Sequence, residues 1–194
     1  ILGGQALLFR RVPIENPPEV LAADAREILK KAGYPELPVD SAFGFSVDQE
    51  YFQHVRKNDR SPTRWDRMPG SVIGFWYRQS PRSLVRWVGI LSAGGGITPG
   101  DPPLGISGES LVTLDARGRL TSFCVIPPER DESTGPPGIP DWTMLFEASG
   151  LDPARWTSVE PNWTPLLFAD TRAAWTGALP DRPDVPMRIE AAAY

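Results

Sequence analysis

Behind Asn16-Pro17-Pro18 the apolar residues Val20, Leu21, Ala25, Ile28, Leu29 and Ala32 recur at helical spacing. Proline is tolerated in a first helical turn because the N–H it lacks would have no partner there. Lys30 and Lys31 in the last turn suit the negative end of the helix dipole, and Gly33 is free to end the helix at positive φ. Residues 41–47 change to a short strand pattern. Asp48 then stands where a side chain caps a helix, here running to Asn58 with Tyr51, Phe52 and Val55 inward. The charged stretch 59–70 predicts an irregular loop. Residues 71–79 and 84–91 are two β-rich runs, joined by a turn at Ser80-Pro81-Arg82-Ser83.

The Gly- and Pro-rich stretch 93–108 predicts a long loop. Runs 110–115 and 120–126 flank Ala116-Arg117-Gly118-Arg119, a hairpin pattern in which Asp115 can bond its own turn and Gly118 can take positive φ. Pro127-Pro128 ends the second run, and 129–140 reads as a polar, Pro/Gly-rich linker or flap. Asp141 opens a short helix to Ser149 with Trp142, Leu145 and Phe146 inward, and Gly150 follows it. Asp152-Pro153 begins a single turn. Residues 162–175 are ambiguous between strand and helix: 166–168 read as extended and 170–175 as helical. The run 187–194 reads as a strand. Strands and helices neither alternate regularly nor separate completely, which predicts an α+β fold, mainly antiparallel, with a few short helices and long Pro/Gly-rich loops.

At the start, residues 1–9 are largely apolar and precede Arg10-Arg11. They read as a first strand or as the end of a membrane segment with its basic stop, the strand being favoured. The domain expectation is a first strand or membrane-proximal segment over 1–11, one α+β domain over 12–186, and a strand at 187–194 leading into a further unit.

Composition narrows the chemistry. The 194 residues include one His and one Cys, which excludes an intrachain disulfide, a Cys₄ or Cys₂His₂ zinc site and a His₃ centre. His54 lies mid-helix among polar neighbours, and no Gly-x-Ser-x-Gly elbow accompanies it. Cys124 falls in an apolar strand, where a buried inert thiol is the default. No catalytic residue, metal ligand or cofactor is assigned. Charge is more informative: residues 56–88 hold eight basic and two acidic side chains, whereas 127–160 hold seven acidic and two basic. Trp65, Trp76, Tyr77 and Trp87 interleave the basic stretch, so Arg64, Trp65, Arg67, Arg78, Arg82 and Trp87 form a candidate anion-binding surface. The competing reading pairs the basic and acidic segments within one fold. A formal net charge of −4 argues against nucleic acid as the anion. Among the seven Trp, Trp142 and Trp175 read as structural, and Trp65, Trp87, Trp156 and Trp163 as candidates for exposure.

Several strings together resemble a known family. They are Ala25-Arg-Glu-Ile-Leu with Ala32-Gly-Tyr-Pro35, Asp40-Ser-Ala-Phe-Gly-Phe45, and Phe75-Trp-Tyr-Arg-Gln-Ser-Pro81. Ser110-Leu-Val-Thr-Leu-Asp115 with Gly118-Arg-Leu120, Pro140-Asp-Trp-Thr-Met-Leu-Phe146, Glu160-Pro-Asn-Trp-Thr-Pro165 and Ala169-Asp-Thr-Arg-Ala-Ala-Trp175 complete the set. As a set they resemble the non-kinase C-terminal region of membrane-anchored serine/threonine protein kinases of soil bacteria such as Acidobacteria, over residues 12–194. The resemblance implies a cytoplasmic kinase and a membrane segment before Ile1, an extracytoplasmic (periplasmic) position for this part, and more chain after Tyr194. It transfers no catalytic or ligand residue. No kinase motif (Gly-x-Gly-x-x-Gly, His-Arg-Asp or Asp-Phe-Gly) stands in the chain.

The resulting expectation is a sensor or interaction module without activity of its own, whose partner is an unidentified ligand, another protein or a second copy of the chain. The alternatives are a hydrolase of an extracytoplasmic polymer using carboxylates such as Asp48 and Glu50, and a structural spacer.

Overall fold

The computed structural model describes residues 14–66, 68–86, 96–130, 140–180 and 182–194. The chain divides into two compact units between Val125 and Ile126, where the sequence reading has one domain over 12–186. The architecture is α+β, with two antiparallel sheets of four and three strands.

In the first unit, helix α1 (Pro18–Lys31) starts with proline in its first turn, and Gly33 leaves it at φ +94°. It buries Leu21, Ala22, Ala25, Ile28 and Leu29. Val20 instead faces solvent, and Ala22 takes the inward place expected for it. Strand β1 (Asp40–Val47) leads to α2 (Gln49–Asn58), capped as expected: the Asp48 carboxylate accepts the Tyr51 N–H at 2.9 Å. A 3-10 turn at Gly70–Val72 enters β2 (Ile73–Ser80), and β3 (Ser110–Asp115) and β4 (Leu120–Val125) form the expected hairpin. The sheet order is β1-β2-β3-β4.

One expectation is corrected here. Residues 84–86, the described part of the run expected over 84–91, form no strand, and β1 and β3 occupy both edges of β2. The Ser80 hydroxyl accepts the Arg82 N–H and the Asp40 carboxylate accepts the Leu84 N–H, so side chains satisfy the backbone as it leaves β2. The rest of that run, residues 1–13 and residues 131–139 lie outside the described residues. Residues 96–109 carry no helix or strand.

Register assigns the sheet's two faces. Phe75 and Tyr77 share one face with Val112 and Leu114, all fully buried. Helix α1 lies on that face, with the Arg26 guanidinium over the Tyr77 ring at 5.6 Å. Each large apolar side chain withdrawn from water there contributes about 1.5–3 kcal/mol. The opposite face carries Gly44, Trp76, Arg78, Leu111 and Thr113. At Gly44 a Cβ would stand 3.0 Å from the Trp76 ring, so the glycine makes room for the indole.

In the second unit, α3 (Thr143–Ala148) starts two residues after Asp141, whose carboxylate accepts the Thr143 N–H at 2.9 Å. Gly150 follows at φ +65°, and the Asp152 carboxylate caps a 3-10 turn at Pro153–Arg155. Strands β5 (Thr157–Val159), β6 (Thr171–Leu179) and β7 (Arg182–Ala193) form the second sheet in that order. The helix expected over 170–175 is a strand instead, because β6 is paired along both edges. The 166–168 segment forms no strand. The 187–194 strand is borne out but begins earlier, and β7 tolerates Pro183 and Pro186 because it lies at an edge. Phe146 packs edge-on against Trp175 and Trp156, with centroids 5.2 and 6.2 Å apart. Trp156 fits only because position 177 is glycine: a Cβ there would meet its ring at 2.8 Å.

Candidate functional site

The basic and aromatic residues singled out from sequence fall in separate places. Arg64 and Trp65 sit in the loop after α2, both half-buried. The Arg64 guanidinium lies 5.3 Å over the Trp65 ring and its Nη1 donates to Ser61 O, while Trp65 packs on Phe52 at 5.4 Å. This is a local stack of cation on indole. Arg82 is exposed just beyond β2. Arg67 and Trp87 lie outside the described residues.

Arg78 is different. It occupies an interior position of β2, between Ala42 of β1 and Leu111 of β3, and its side chain is 0% exposed. A loop roofs it: Arg78 Nη1 donates to the carbonyls of Thr98 (3.2 Å), Pro99 (3.5 Å) and Pro102. That loop is closed on itself, since Asp101 N–H donates to Thr98 Oγ1 and Thr98 N–H to Asp101 O, both at 3.0 Å. It is held from outside by an ion pair of 3.2 Å between Arg86 Nε and Asp101 Oδ2. Below it Glu109, also buried, spends Oε2 on the N–H groups of Gly105 and Ile106.

The remaining two donor positions of Arg78, Nε and Nη2, are buried without a hydrogen-bond partner. Among the described residues no carboxylate lies within 4.0 Å of the guanidinium, so the site holds a buried cation without a contacting counter-charge. Burial pulls the Arg78 pKa below its ordinary value, and the charges of Glu109 and Asp101 oppose that pull. A guanidinium stays protonated across the physiological range, so this site is chemically fitted to hold an anion rather than to move a proton.

The carboxylates of the hydrolase alternative are on the surface at the start of α2. Asp48 is engaged as its cap and Glu50 is exposed. His54 is exposed on the same helix, with Asn58 Nδ2 3.2 Å from its Nδ1. Cys124 is half-buried, and burial pushes its thiol pKa up, away from the reactive thiolate. Among the described residues no group of three or more His, Cys, Asp or Glu is placed to hold a metal ion, and no helix is long and apolar enough to cross a membrane.

Of the tryptophans expected at the surface, Trp156 is buried in the second unit's core, a correction explained by the space at Gly177. Trp163 is 48% exposed. It lies in a segment pinned to the second sheet. Arg172 donates to Trp163 O at 3.2 Å, Arg188 donates to Glu160 O, and Glu190 accepts from Asn162 N–H at 3.3 Å and from Arg188. Leu166 and Phe168 follow, largely in solvent, with the Phe168 ring against Tyr194 at 6.1 Å.

Thr98, Pro99, Asp101, Pro102 and Glu109 were not legible as site residues, because loop closure alone brings them to Arg78. One sequence signal does bear on Arg78: it stands inside the apolar, aromatic run of β2, the kind of run that is buried on both faces. No protein-family model, no curated protein and no solved structure matches this chain.

Proposed function

We propose that this chain is an extracytoplasmic sensor domain of a receptor-type serine/threonine protein kinase, without catalytic activity of its own. The observation that carries the reading is Arg78, a buried, permanently charged group held under a closed loop. Such an arrangement recognises a ligand by charge and shape, and its chemistry is unsuited to general acid–base work. The resemblance of the chain's motifs to the non-kinase region of membrane-anchored bacterial kinases supports the wider context. In that context, occupancy of the site shifts the population of loop conformers, and with it the association of the attached kinases. The exposed Trp163, Leu166 and Phe168 supply apolar area of the kind that interaction modules display.

The test is a thermal-shift screen of the 194-residue chain against cell-wall fragments, lipids and small anions, since anything that binds the native state raises its melting temperature. A saturable rise with at least one class is expected. Uniformly flat melting would favour a spacer. A carboxylate-dependent hydrolysis of wall polymer, abolished in Asp48→Asn or Glu50→Gln, would favour the hydrolase.

A further inference from the structure

The way Arg78 divides its donors goes further than the sensor reading on which it rests. Three loop carbonyls take Nη1, while the two atoms left unpartnered are Nε and Nη2. Those two nitrogens form one edge of the planar guanidinium, with their N–H bonds nearly parallel. It is the edge that grips two oxygens side-on. The chain itself uses this edge elsewhere: Arg119 turns Nε (2.8 Å) and Nη2 (2.7 Å) toward Asp115 Oδ2. At Arg119 the edge meets a carboxylate; at Arg78 the same edge is buried and empty-handed.

Leaving buried N–H groups unpaired costs about 1–3 kcal/mol each, more for a charged group, and chains rarely keep such a defect without a role for it. The cross-strand neighbours of Arg78, Ala42 and Leu111, carry no polar side-chain group to take up the edge. The two nearby carboxylates are committed, Glu109 to backbone N–H groups and Asp101 to Arg86. The guanidinium is therefore anchored through one nitrogen and oriented by the roof, with a two-pronged donor edge held ready.

We propose that the Nε/Nη2 edge of Arg78 is an oxyanion fork that binds the paired oxygens of a carboxylate or phosphate group on a small ligand. Because Arg78 is fully covered, the ligand enters by lifting the 98–102 loop, and the Arg86–Asp101 ion pair latches that loop. Binding and loop position are thereby coupled, which is the property a sensor needs.

The experiment titrates the 194-residue chain with acetate, inorganic phosphate and sulfate, using chloride at matched ionic strength as the reference. It follows the Arg78 side-chain Nε–H by nitrogen-15 NMR alongside the melting temperature. The expected result is a saturable downfield shift of that resonance and a saturable rise in melting temperature with acetate or phosphate but not chloride. Whichever of the two binds more tightly identifies the ligand group as carboxylate or phosphate. In Arg78→Lys, which keeps the charge and loses the fork, affinity should fall at least about tenfold. If Arg78→Lys does not fold, the wild-type resonance alone decides. An Nε–H unmoved by every oxyanion means that water fills the edge and overturns the fork, even where a neutral ligand of the wider screen stabilises the chain and so keeps the sensor reading. A saturable oxyanion effect retained in full by Arg78→Lys also overturns it.

Discussion

Asp115 holds the β3–β4 turn together almost alone, and removing its carboxylate should cost much of the first unit's stability. Its Oδ1 accepts the N–H groups of Arg117 and Arg119, each at 2.9 Å, and its Oδ2 faces Arg119 Nε and Nη2 at 2.8 and 2.7 Å. The carboxylate is buried, whereas the Arg119 side chain is 36% exposed. Hydrogen bonds to a charged acceptor are worth about 1.5–3 kcal/mol each, with the lower end apt for the two turn N–H groups because water reaches the turn once the side chain is gone. The ion pair, partly screened, adds about 0–1 kcal/mol. Asp115→Ala is therefore expected to cost about 3–4 kcal/mol, and Asp115→Asn about half as much, since the amide keeps an acceptor for the backbone but turns a donor toward Arg119. Urea unfolding of the full chain, with hydrogen exchange of the β3 and β4 amides to localise the loss, measures both. An Asp115→Ala chain within about 0.5 kcal/mol of wild type would show that the turn is held by its backbone alone and refute the reasoning.

Other substitutions probe the packing and charge arguments. Gly177→Ala drives a Cβ to 2.8 Å from the Trp156 ring and 3.2 Å from Arg155 O, so it should destabilise by about 1–3 kcal/mol in denaturant melts; an unchanged midpoint would mean the indole can move freely. Ser110→Ala removes a buried hydroxyl that has no partner and should stabilise by about 0.5–1 kcal/mol, whereas a clear loss of stability would reveal a bond to Ser110 Oγ in solution. Burial acts to raise the Glu190 carboxyl, but hydrogen bonds from Arg188 and from the backbone of Asn162 and Trp163, with the Arg188 charge, hold it below the ordinary glutamate range. A depressed folded-state value means the contribution is complete at neutral pH and is lost as pH falls through that lowered value. The amide shifts of Asn162 and Trp163 should thus titrate only below the usual glutamate range, and Glu190→Gln should abolish that titration; an identical acid transition in both chains would assign it elsewhere.

What could be read from the sequence was what neighbours in the chain decide. The helix after Asn16-Pro17-Pro18, the Asp48 and Asp152 caps, and the Asp115/Gly118 turn are satisfied by groups a few residues apart, so residue type and spacing suffice. The antiparallel α+β class follows from the same local patterns. Strand partners do not. The 84–91 run is near β2 in sequence, yet β2 pairs with β1 and β3, because pairing is settled by which strands together bury Phe75, Tyr77, Val112 and Leu114 under α1. The segment 170–175 carries two alanines and a helical pattern, and only the strands on both sides make it β6. Trp156 looked like a surface aromatic until Gly177, more than twenty residues away, supplied the space that buries it. The site divides the same way. Its place in an apolar, aromatic run marks Arg78 for burial, a local fact, but its roof of carbonyls and its unmet donor edge exist only once the loop at 98–102 closes over the sheet. Local chemistry chose the elements; desolvation, which acts only when distant segments meet, chose their partners and left Arg78 buried with no contacting carboxylate among the described residues.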